Sequence, residues 1–182
     1  MVDRRIRKTR GALAEAVLAL AAERDFASVT VADITRRAGI GYATFFRHYP
    51  GKDELLADVA DLLIDELLGL MLPAFLADDT AGAALALCRF VQARRPICHA
   101  LLAGGAEARI RGEMIRRASA RALSLDLPQP TGLPATLVIA HAVSSITAML
   151  SWWLDQGEAM PAEAMAAVLD RLALAPIRSG RA

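Results

Sequence analysis

The segment Ser28–Leu55, SVTVADITRRAGIGYATFFRHYPGKDEL, constrains the fold of this chain more than any other stretch. Thr30 stands where a helix N-cap belongs, and Asp33, three residues on, stands where a capping-box acid reaches back. Val31, Ile34 and Ala38 then fall on one face of a short helix. Gly39 ends that helix, because glycine takes the left-handed conformation of a C-cap without a steric penalty. A second short helix is predicted over 41–49, with Phe45 and Phe46 assigned to the core and Tyr42, Thr44 and Arg47 turned outward. Gly51-Lys52-Asp53-Glu54 opens a third, its first-turn acids complementing the helix dipole. The spacing is that of a helix-turn-helix, whose second helix has the size and chemistry to enter a DNA major groove.

These residues resemble the TetR family of bacterial transcriptional repressors. The resemblance lies at Thr30, Val31, Ile34, Ala38-Gly39, Thr44-Phe45, His48-Tyr49, Lys52 and Glu54-Leu55, within the first third of the chain. The remainder is similar to the family in being helical and of suitable length. Four positions depart from the family pattern. Gly41 and Gly51 stand where serine is usual, Phe46 where tyrosine is common, and Asp25 where glycine usually ends the first helix. The first three bear on hydroxyl contacts to an operator; Asp25 tolerates left-handed geometry better than most residues.

Composition agrees with an all-α protein of about nine helices. Hydrophobic residues make up 55% of the 182 and are dominated by alanine, while aromatics are only 5% and β-branched runs are scarce. The expected division is a DNA-binding module over 1–52 and a helical ligand-binding and dimerisation domain over 53–182. Charge divides the same way. Residues 1–52 hold ten Lys/Arg against five Asp/Glu, leaving +5; residues 53–182 hold eleven against fifteen, leaving −4. A basic module on a mildly acidic body fits one end that meets a polyanion.

Two segments imitate membrane signals. The basic N-terminus precedes an Ala/Leu-rich run, but Glu15 interrupts it and Glu23-Arg24-Asp25 follow, so an amphipathic helix with Leu13, Val17 and Leu20 inward is the better reading. Thr131 to Leu154 carries no formal charge and is long enough to span a bilayer. Its Pro134, His141, Ser144, Ser145, Thr147 and Ser151 suit a helix buried in its own fold and against a partner instead. The protein is therefore read as cytoplasmic, with no membrane partner. Cys88 and Cys98 give no disulfide framework and no metal spacing, so reduced thiols, no metal and no cofactor are expected.

Further along, Pro73 is expected to end or kink the fourth helix, and Asp78-Asp79-Thr80 to form a loop and cap. Gly104-Gly105 closes a sixth helix, the proline-rich stretch 127–134 is a loop, and the tail beyond Pro176 is loose. Glu54, Asp58, Asp61 and Asp65 form an acidic stripe read as a solvated face.

Three constellations carry function. For DNA, Tyr42 reads a thymine methyl or sugar, Thr44 a base edge or phosphate, and Arg47, His48, Tyr49 and Lys52 bond phosphates, with Thr30 at the start of the first reading helix. The family resemblance implies similar roles for Thr44, His48, Tyr49 and Lys52. For a ligand, Met71, Phe75, Phe90, Met114, Met149 and Trp152 supply soft apolar surface, and His141 and Ser145, one turn apart, supply polar contacts. For dimerisation, Ala140, Ser144, Thr147, Ala148 and Ser151 make a small-residue stripe, joined by Met165, Val168 and Leu172 on the last helix. The resemblance implies a repressor released from a palindromic duplex by a small, mostly apolar molecule. A ligand-independent DNA-binding regulator is the alternative. No catalytic motif is present: there is no G-x-S-x-G, H-E-x-x-H, P-loop or dinucleotide fingerprint.

Overall fold

Helices account for the architecture, and local sequence explains where each begins and ends. The computed structural model describes residues 2–103, 107–124, 133–157 and 159–179. Among these the order is α1 (Val2–Glu23), a 3-10 turn (Phe26–Ser28), α2 (Val31–Ala38), α3 (Tyr42–Phe46), α4 (Lys52–Leu76), α5 (Thr80–Ala93), α6 (Arg95–Ala103), α7 (Glu107–Ser124), α8 (Ala135–Asp155) and α9 (Ala162–Leu169). A π segment, Asp170–Leu174, carries α9 into a last helical turn, Ala175–Ser179. No strand occurs among the described residues.

The chain divides into two units, Met1–Leu63 and Ile64–Ala182. In the first, α1 packs on α2 and α2 on α3. Leu13, Val17, Val29, Ile34, Phe45 and Leu55 are almost fully buried there. The capping box is complete: Asp33 N–H donates to Thr30 Oγ1 at 3.2 Å, and Thr30 N–H returns a bond to Asp33 Oδ2 at 3.1 Å. Gly39 has φ +65°, the left-handed cap that the turn into α3 requires.

In the second unit, α5 packs on α9, and α6 and α7 pack on α8. Asp79 caps α5 by accepting from Gly82 N–H at 2.7 Å; a Cβ on Gly82 would meet Asp79 Oδ2 at 2.0 Å, so that approach needs glycine. Trp153 anchors α8. It is fully buried, its Nε1 donates to Met160 O at 2.9 Å, and the Arg95 guanidinium lies 5.4 Å from its ring centroid. The same guanidinium donates to Trp153 O and Leu154 O at 2.9 and 2.8 Å, a second donor for carbonyls that Gln156 N–H and Gly157 N–H reach at 3.2 and 3.4 Å. Cys88 and Cys98 are both buried, and burial pushes both thiols up to about 12.

Several local expectations need correction. Pro73 does not end α4: it opens the last turn, and helix continues to Leu76. The chain beyond Pro176 is helical to Ser179 rather than loose; the widened turn just before it, where Ala175 N–H bonds Asp170 O, adjusts the helix where proline removes a donor. The acidic stripe of α4 is not simply solvated: Asp58 pairs with Arg10, and Asp65 with Arg117 at 2.9 Å. Gly104-Gly105 and most of the 127–134 loop lie outside the described residues. Helix α8 is, among the described residues, the one helix long and apolar enough to cross a membrane. In this fold it buries one face through Val143, Ile146, Leu150 and Trp153.

Candidate nucleic-acid interface

The turn between α2 and α3 sets the geometry of the reading helix. Phe45, fully buried, anchors α3, its ring 5.8 Å from that of Tyr49. With Phe45 inward, the five-residue helix turns Tyr42, Ala43 and Phe46 to solvent, and Arg47 follows at its C-cap, also exposed. Phe46, assigned to the core from sequence, is therefore 46% exposed, and Tyr42 57%. The signal that identifies this face is the i, i+4 spacing of Tyr42 and Phe46, opposite Phe45. Thr44 is half-buried and accepts from Arg47 Nη2 at 2.7 Å; His48 is half-buried as well.

Three of the residues expected to meet DNA, Lys52, Tyr49 and Thr30, are engaged within the protein. The Lys52 ammonium donates to the carbonyls of Phe26, Ala27 and Val29 at 3.4, 3.2 and 3.1 Å and lies 5.2 Å from the Phe26 ring centroid. It holds the turn after α1 against the start of α4, and three acceptors consume its three donors. The Tyr49 hydroxyl, buried, donates to Asp58 Oδ2 at 2.6 Å and accepts from Arg10 Nε at 3.0 Å. Burial, reinforced by the Asp58 carboxylate, pushes this phenol up to about 12. Thr30 is exposed, but its hydroxyl serves the capping box, donating to Asp33 Oδ2 at 2.7 Å. Bonds from the Thr30 hydroxyl and N–H, with the Arg24 charge beside them, hold the Asp33 carboxyl down at about 2. Sequence reasoning missed Arg10 and Asp58 as partners of Tyr49, because the contacts span 39 and 9 residues and have no local signature. Arg4, Arg5 and Lys8 on α1, Arg36 and Arg37 on α2, and Arg47 are exposed; of these, Arg36 pairs with Asp33, Arg37 with Glu23 at 2.6 Å, and Arg47 with the Thr44 hydroxyl.

The residues assigned to a ligand do not share one environment. Met71 and Phe90 are buried, with the Arg94 guanidinium 4.2 Å over the Phe90 ring. Met114, Ser145 and Met149 are half-buried. His141 is exposed and Trp152 is 50% exposed, so these two do not line the interior of a single chain. The Phe75 side chain lies outside the described residues. The dimer residues divide too. Ala148 and Val168 are exposed, Leu172 is 65% exposed, and Ala140, Ser144 and Ser151 are half-buried. Thr147 is buried and donates to Val143 O at 2.7 Å, and Met165 is fully buried, so both belong to the core. Leu137, 61% exposed, and Trp152 also face outward from α8.

A short outward helix, seated by an interior aromatic and preceded by a capped helix and glycine turn, defines a helix-turn-helix protein. Residues 13–59 match the model of bacterial regulatory proteins of the tetR family. An uncharacterized HTH-type transcriptional regulator of Bacillus subtilis strain 168, YxbF, is 34% identical over 172 residues; the match takes in 91% of this chain and 44% of the relative's length. A tetR-family transcriptional regulator from Streptomyces coelicolor shares the fold with TM-score 0.65 and 22% identity, over 96% of this chain and 85% of that one. RolR, solved in complex with resorcinol, aligns with TM-score 0.57 and 21% identity over 98% and 94%. Residues 13–59 thus carry the helix-turn-helix of the tetR family of bacterial regulatory proteins, and the chain shares the fold of solved tetR-family regulators.

Proposed function

We propose that this chain is a dimeric, cytoplasmic, sequence-specific DNA-binding transcriptional regulator, released from a palindromic operator when a small, mostly apolar molecule binds its larger unit. The observation that carries the DNA reading is the outward face of α3 beside exposed arginines in a segment of net charge +5. Phosphate contacts from such cations position a reading helix, and side chains at base edges give it preference. Thr44, Arg47 and His48 remain the polar candidates on or beside that helix. Two recognition helices of a dimer would stand roughly 34–36 Å apart, one turn of duplex.

Dimerisation is supported by exposed apolar side chains on α8 and α9: Leu137, Ala148, Trp152, Val168 and Leu172. Soft side chains support the effector: Met71 and Phe90 in the core of the second unit, with Met114, Ser145 and Met149 half-buried. A resorcinol complex of a protein of the same fold is consistent with a small aromatic occupant. The test is a gel shift of the full chain on genomic fragments, including the promoter next to its own gene, repeated with a library of small apolar compounds. Two chains per duplex and specific retardation are expected, with one compound lowering affinity by roughly 5–150-fold. No fragment held more tightly than random DNA at physiological salt overturns the reading. Specific binding that no compound relieves leaves a ligand-independent regulator.

A further inference from the structure

The outward face of α3 is unusually apolar for a surface that meets nucleic acid. Tyr42, Ala43 and Phe46 fill it, and Arg47 closes its C-terminal end. Tyr42 and Phe46 stack edge to face, centroids 5.1 Å apart at 62°, and Phe46 makes a second edge contact with buried Phe45 at 5.2 Å and 77°. The Phe46 ring is thus braced from two sides while nearly half of it stays exposed. An exposed aromatic so fixed loses little side-chain entropy on meeting a partner.

Its chemistry narrows what that partner can be. Residues 42–47 include no Asn, Gln, Asp or Glu, the side chains that read adenine or cytosine through paired donors and acceptors. A phenylalanine ring offers no hydrogen bond to phosphate. The one apolar group on a base edge in the major groove is the C5-methyl of thymine. The surrounding charge favours duplex DNA over an apolar protein face, because Arg47 adjoins the ring and the exposed cations of α1 and α2 belong to the same unit.

We propose that Phe46, braced by Tyr42, is a specificity-determining residue that seats on the C5-methyl of one thymine in each operator half-site. This rests on the DNA-binding reading above. The experiment takes the full chain, selects duplexes from a randomised library, and replaces each thymidine of the enriched half-site by deoxyuridine, one at a time. The wild type should lose about four-fold in affinity at one position, the scale of one buried methyl group. Phe46→Ala should bind thymidine and deoxyuridine equally at that position with its salt dependence unchanged, and Phe46→Leu should restore part of the difference. Phe46 lies outside the core, so the variant should fold, and the deoxyuridine series on wild type needs no variant. Enrichment without any deoxyuridine-sensitive position overturns the proposal alone, as does Phe46→Ala keeping the full difference. A selection that enriches no sequence overturns the DNA-binding reading and this one with it.

Discussion

The Lys52 ammonium donates to the Val29 carbonyl at 3.1 Å, closing the first turn of α4 onto the loop that precedes α2. Two more carbonyls, of Phe26 and Ala27, share the same nitrogen. Lys52 is therefore a positioning residue of the reading module. Lys52→Met keeps the stem and removes the charge, leaving three carbonyls short of a donor. The loss should be about 1–3 kcal/mol of stability. The slope of log affinity against log salt should stay as in wild type, because no phosphate contact is lost. A slope flatter by about one unit would return Lys52 to the DNA surface.

Asp33 gives a pH signature. Its folded carboxyl sits at about 2, below the usual carboxylate range, because the Thr30 hydroxyl and N–H bond its ionised form. A depressed carboxylate stabilises the fold above its unfolded pKa and loses that effect as pH falls through the folded value. Asp33→Ala should lower the thermal midpoint at pH 7, and the gap to wild type should close as pH drops from about 4 toward about 2. A gap constant over that range would mean that the carboxylate charge is not what caps α2.

Tyr49 gives the alkaline counterpart. Its phenol is pushed up to about 12 by burial and by Asp58, so the protonated form stabilises the fold below about 10, and the effect is lost as pH rises through the folded value. Tyr49→Phe should cost about 1 kcal/mol at neutral pH, the worth of a typical internal hydrogen bond. Urea midpoints of the two proteins should converge near pH 12. Equal stability at pH 7 would show that Arg10 and Asp58 hold each other as well without the hydroxyl.

The outward faces of α8 and α9 give the assembly test. Trp152→Arg and Ser144→Arg place a long cation where two chains are proposed to meet, and an unpaired buried charge there is costly. Sedimentation should show monomers with unchanged helix content, and operator binding should weaken sharply. If both variants stay dimeric, the second copy docks elsewhere.

What sequence made legible follows the range of the interaction. The capping box of Thr30 and Asp33, the left-handed Gly39 and the inward Phe45 span a few residues each, and local chemistry determines them. The outward face of α3 is half legible: sequence places Tyr42 outside but groups Phe46 with Phe45, because adjacent aromatics in so short a helix give no clear period. The internal partners of Lys52 and Tyr49 are illegible for another reason. A cation or phenol beside a reading helix suits phosphate by type, and only the tertiary fold brings Val29 or Asp58 within bonding distance. On α8, Trp152 and Trp153 are neighbours that look alike in sequence. Packing buries the second entirely and leaves the first half exposed.

The two buried thiols have an experimental consequence. Both cysteines of the chain, Cys88 and Cys98, belong to the unit Ile64–Ala182, and burial holds both in the unreactive protonated form. A thiol-directed dye should therefore label the native protein slowly and the chain with that unit opened quickly, whatever the state of the residues before Leu63. The chain carries a built-in clock for the opening of its larger unit. A compound that binds this unit should slow the clock, even before any operator is known.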